Sequence, residues 1–105
     1  MADFMKMLQQ AQEMQGKLQQ MQQELESKTV TASSGGGMVT ATADGKGQLR
    51  SIRIDPTVVK AEDVEMLEDL VIAAVSEAQK KAAEMAQEEM QKLTGGLSLP
   101  FRPPF

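Results

Sequence analysis

Histidine, cysteine, tryptophan and tyrosine are all missing from this chain of 105 residues, and phenylalanine occurs three times. Each absence removes a class of chemistry. Without His or Cys there is no Ser-His or Cys-His nucleophile pair, no imidazole or thiolate metal site and no disulfide framework. The lack of Cys suits a reducing compartment. Without Tyr or Trp, single-stranded bases have little to stack on. No apolar run reaches the roughly 20 residues of a membrane-spanning helix. Gln and charged residues interrupt the N-terminus from Lys6 onward, so no signal-peptide core forms there. A cytoplasmic protein is expected, with no membrane partner, no cofactor and no metal. Carboxylates are the remaining route to catalysis. Glu65, Glu68, Asp69 and Glu77 lie along the start of a helical pattern, where acids serve the helix dipole and solvation. An enzyme acting on a small-molecule substrate is therefore not expected.

What the chain does have is a central stretch of three alternating segments. Val30 and Ala32 alternate with Thr29, Thr31 and Ser33. Val39, Ala41 and Ala43 alternate with Met38, Thr40 and Thr42. Ile52 and Ile54 alternate with Leu49, Ser51 and Arg53. Period two with β-branched residues predicts half-buried antiparallel strands, the Val/Ala/Ile face inward and the Thr/Ser face outward. Ser34-Gly35-Gly36-Gly37 and Asp44-Gly45-Lys46-Gly47 supply the glycines that hairpin turns require. The glycine run lacks the Lys-Ser/Thr of a phosphate-binding loop and sits between two strands. A three-stranded meander is too small to stand alone, so helices must cover it.

The flanking segments are helical. From an N-cap expected at Asp3, Phe4, Met7, Ala11, Met14, Leu18, Met21 and Leu25 recur at spacings of three and four, an a/d seam on a polar helix. Met5, Met7, Met14 and Met21 make that side of the helix adaptable. After the strands, Asp55-Pro56 reads as a cap with Pro in the first turn. The second helix holds Leu70-Val71-Ile72-Ala73-Ala74-Val75, apolar all round, as for a segment buried on several sides. Beyond it the seam narrows to Ala78, Ala82, Met85, Ala86, Met90 and Leu93.

The expected elements are a helix over 3–27, strands over 29–33, 38–43 and 48–54, a short helical turn over 56–59, a helix over 62–93 and an extended tail over 95–105, in one α+β domain. Both helices are longer than a strand of about 20 Å and must overhang the sheet. Met7, Met14, Leu18, Met21, Leu70, Val71, Ala74, Ala78 and Met85 are then the expected packing residues of the arms or of a homodimer. The tail, with Phe101, Phe105 and three prolines, either extends freely or docks its Phe side chains on the body.

Charge is unevenly spread within a net of −4. Residues 1–27 carry two Lys against four acids. Residues 28–54 carry four basic residues against one acid. Residues 55–105 carry five against ten. Acidic helices around a mildly basic sheet are not the usual footprint of a nucleic-acid binder.

Several stretches together resemble the YbaB/EbfC family of bacterial nucleoid-associated proteins. These are Met14-Gln15 to Met21-Gln22-Gln23-Glu24, Gly35-Gly36-Gly37-Met38-Val39 and Ile52-Arg53-Ile54-Asp55-Pro56. Glu65-Met66-Leu67-Glu68-Asp69-Leu70-Val71 with Ala73-Ala74, and the closing Leu99-Pro100 to Pro104-Phe105, complete the set. The resemblance spans nearly the whole chain. It implies an α-β-β-β-α fold, a tweezer-like homodimer, and binding of double-stranded DNA with little or loose sequence preference. It also implies a part in nucleoid organisation and gene regulation. The expected phosphate contacts are Lys28, Lys46, Arg50 and Arg53 on the sheet and its turns, and Lys6, Lys17, Lys80 and Lys81 on the arms. A reading of another class is a chaperone or assembly scaffold whose Met-lined arms grip protein.

Overall fold

In the computed structural model, residues 2–93 are described. Helix α1 (Ala2–Ser27) leads into strands β1 (Thr29–Ser34), β2 (Val39–Asp44) and β3 (Leu49–Ile54), and helix α2 (Val64–Leu93) follows two short 3-10 turns, Pro56–Val58 and Ala61–Asp63. The fold is α+β, in the order α-β-β-β-α. Asp3 lies inside the first turn of α1 and not at its cap, where it still complements the dipole. The tail read as extended lies outside the described residues.

The strands form an antiparallel meander in the order β1-β2-β3. Ala32 pairs with Ala41, and Ala41 with Ile52, so these share one face. A bulge between Thr42 and Ala43 shifts the register against β3. The first turn is the glycine run, with φ of +68° at Gly36. The second closes through Gly47, at φ +88°. Gly45 is required for a different reason. A Cβ there would lie 2.7 Å from the carbonyl oxygen of Leu25. Its own N–H donates to that oxygen at 2.8 Å, tying the hairpin to the end of α1.

Helix α2 lies on the inner face through Ala74, Ala78 and Ala82, all wholly buried. Small side chains let the helix approach closely. Ala74 and Ala78 join Ala32, Val39, Ala41 and Ala43 in the core, flanked by Val30, Leu67, Leu70, Val71 and Val75. Ser34 Oγ donates to the Leu70 carbonyl at 2.6 Å and pins the start of α2 to the end of β1. Asp55 caps the turn after β3, accepting from Thr57 N–H at 2.9 Å.

The expectation of a uniformly buried Val/Ala/Ile face needs correction. Leu49, Ile52 and Ile54 are between 37% and 41% exposed. The helix covers β1 and β2 and leaves β3 bare. A helix is about 10 Å across and strands lie about 4.8 Å apart, so one helix covers two strands.

Both helices run past the sheet, α1 with 26 residues (about 39 Å) and α2 with 30 (about 45 Å). Met21 and Leu25 of α1 are buried, and Met14 and Leu18 are half-buried. Phe4, Met7 and Ala11 are exposed. The seam is continuous in sequence but covered over only its second half.

Candidate nucleic-acid interface

The sheet face away from α2 is open and polar. Cross-strand hydroxyls touch in two rows. Thr31 Oγ1 lies 3.4 Å from Thr42 Oγ1, and Ser33 Oγ lies 3.2 Å from Thr40 Oγ1. The register extends the first row to Ser51 and the second to Arg53. Arg53 lines a shallow depression with Gly37, Met38, Thr40, Ile54, Asp55 and Pro56. Hydroxyls beside a guanidinium are the donor set that phosphate oxygens accept from.

The structure sorts the eight basic residues expected at the interface by what each already holds. Arg50 sits on the bulge and turns onto Asp44, with Nη2 2.8 Å and Nε 3.0 Å from Oδ2. Asp44 is wholly buried, and its Oδ1 accepts from Lys46 N–H at 2.9 Å and Gln48 N–H at 3.0 Å. Burial pushes this carboxyl up, but the two backbone donors and the Arg50 guanidinium outweigh it and hold its pKa below the usual value. Arg50 therefore serves the hairpin. Lys28 pairs with Glu89 at 3.0 Å. The hydrogen bond raises the Lys28 pKa, and the same bond lowers that of Glu89. Lys46 pairs with Glu26.

Lys81 Nζ donates to the Thr31 carbonyl at 3.1 Å, on the outer edge of β1, and keeps its charge unopposed. Among the described residues, no ion pair engages Lys6, Lys17, Arg53 or Lys80, all of which are exposed except at the aliphatic stems. Sequence reasoning passed over Lys60, which is exposed and likewise outside every ion pair described. Its position between two short turns carried no signal beyond its charge.

Of the expected packing residues, Ala74 and Ala78 are in the chain's own core, with Leu70 and Val71 at its margin. Met21 is buried, Met14, Leu18 and Met85 are half-buried, and Met7 is exposed. Among the described residues no group of three acids is placed to hold a metal ion, and no helix is long and apolar enough to cross a membrane.

A family model described as the YbaB/EbfC DNA-binding family matches residues 1–97. The chain belongs to that family. A nucleoid-associated protein of Gemmatimonas aurantiaca is 55% identical over 103 residues, covering 98% of this chain and 99% of that protein. One from Thermoanaerobacter pseudethanolicus is 55% identical over 94 residues, 90% of this chain and 85% of the relative. The crystal structure of an uncharacterized protein from Helicobacter pylori superposes with a TM-score of 0.79 at 24% identity. It covers 88% of this chain and 97% of that one, a likeness of fold.

Proposed function

We propose that this protein is a nucleoid-associated homodimer that binds double-stranded DNA with little or loose sequence preference, alters its conformation, and so contributes to nucleoid organisation and gene regulation in the cytoplasm. The observation that carries the reading is the family match along residues 1–97. Geometry supports it through the hydroxyl-lined face with Arg53 at its end. Arg53, Lys6, Lys17, Lys80 and Lys81 are the phosphate contacts, because their charge is not spent on an internal acid. Lys28, Lys46 and Arg50 are secondary, each already paired.

The second copy docks on β3. That strand pairs only with β2, and its apolar residues lack a cover. An isologous pairing doubles every cation and brings two pairs of arms to one duplex. The test is fluorescence anisotropy of a mixed-sequence duplex at low and at physiological salt. Saturable binding that weakens steeply with salt is expected, since phosphate contacts release counterions. Absence of binding at low salt would overturn the reading. Salt-insensitive capture of apolar peptides in its place would favour the protein-gripping alternative.

A further inference from the structure

The first half of α1 presents an apolar stripe to solvent. Phe4, Met5, Met7 and Leu8 are all exposed, Met7 by 66%. Beside them Met7, Gln10, Ala11, Glu13, Met14 and Lys17 line a groove of about 420 Å³. A second groove adjoins it at Lys17 and ends at Lys92 and Leu93, the last turn of α2.

The direction of α2 follows from its partners on and beside α1. Glu89 meets Lys28, and Leu93 shares its groove with Lys17 and Gln20. As α2 advances, its neighbours on α1 retreat. The chain leaving Leu93 is thus aimed along α1 toward Phe4. Thr94-Gly95-Gly96 follows, a helix stop. From Lys17 to Phe4 is about 20 Å along a helix. The nine residues Leu97 to Phe105 reach about 30 Å when extended.

Chemistry matches reach. Leu97, Leu99 and Phe101 alternate with Ser98, Pro100 and Arg102, which in an extended segment puts the apolar three on one side. The prolines reduce the entropy lost on ordering. The chain's three Phe are Phe4 on the stripe and Phe101 and Phe105 in the tail. Phe against Met is a favourable contact. Arg102, the one charge of the tail, meets a flank where Asp3 and Glu13 outnumber Lys6.

We propose that residues 97–105 dock along the α1 arm of their own chain, antiparallel to it, with their apolar side chains in the Met7/Met14 groove. The arm then has an apolar cover that the sheet does not supply. The inference does not rest on DNA binding and survives or fails separately from it.

The absence of native Cys allows a single spin label. The full-length Ser98→Cys variant, carrying a nitroxide and ¹³C-methyl methionine, is observed by NMR. Signals of Met7 and Met14 are expected to vanish and return on reduction of the nitroxide, while that of Met66 persists. In a mixture of spin-labelled unenriched chains with unlabelled ¹³C chains, Met7 and Met14 are expected to remain. Loss in the mixture would place the tail on a partner copy and overturn the proposal. Persistence in both samples would also overturn it, leaving the groove to a foreign peptide or to solvent. As a second readout, Phe101→Ala with Phe105→Ala is expected to shift the Met7 and Met14 methyls alone. No shift in either would count equally against the docking.

Discussion

The guanidinium of Arg50 closes over the buried carboxylate of Asp44, with Nη2 2.8 Å from Oδ2, across the β2–β3 hairpin. The two residues are six apart in sequence. The carboxylate has no water and takes all its donors from the turn it sits in. Removing either partner therefore acts on the fold before it acts on any ligand.

The two sheet arginines are expected to respond in opposite ways. Arg50→Ala uncovers Asp44 and lowers Tm, by roughly 10 °C for a broken buried pair. Arg53→Ala leaves Tm nearly unchanged but weakens binding to duplex DNA. In a dimer it removes two phosphate contacts, so the slope of log K against log salt falls by about two. Thermal melts and anisotropy on the same samples check both. Equal melts for the two variants would refute the division of labour.

Acid is expected to unfold the protein through the same carboxylate. Asp44, Asp55 and Glu89 all have lowered pKa values in the folded chain. The unfolded chain binds more protons than the folded one between the two pKa values. Stability from these groups is complete above about pH 4.5 and is lost as pH falls through the depressed values. Lys28, with a raised pKa, works at the other end, where its contribution fades only as pH climbs through that raised value. Urea melts are expected to be flat between about pH 6 and 9. Asp44→Asn shallows the acid limb; an unchanged limb would assign it to other groups.

Two glycines are expected to give shifts of opposite sign when changed to alanine. Gly16 is in mid-helix with open space around it. Gly16→Ala should stabilise by about 0.5–1 kcal/mol. Gly45→Ala forces a Cβ against Leu25 and should cost about 1–3 kcal/mol, with the hairpin moved off α1. Chemical denaturation measures both.

Ile52→Lys is expected to reduce the mass in solution from dimer to monomer at micromolar concentration, with the helical content of the chain retained. Ile52 is 37% exposed on the bare strand, so a lysine there is easily solvated in the single chain. A wild-type protein that sediments as a monomer would end the dimer reading outright.

Much of this architecture was legible in the residues. Period two in Val39, Ala41 and Ala43 and period 3.5 from Phe4 to Leu25 are local signals, and they determine the element types and the class of fold. What they do not carry is width. Ile52 alternates as cleanly as Ala41, yet one helix covers Ala41 and stops short of Ile52. The cations were harder still. All eight lysines and arginines looked equivalent along the chain, but Lys28 meets an acid 61 residues away, a pairing that only the overhang of α2 creates. Arg53 stands out because the register puts it beside Thr40, while the bulge turns its neighbour Arg50 onto Asp44.

The hydrogen bond from Lys81 to the Thr31 carbonyl also sets a limit on stoichiometry. A sheet with two bare edges adds copies without end, as fibres do. Here a flexible cation occupies the outer side of β1, a device that blunts an edge against further strands. Growth is left one direction only, across β3. A two-fold pairing there consumes both growing ends at once, so assembly terminates at two copies and the concentration of free protein never drives it further.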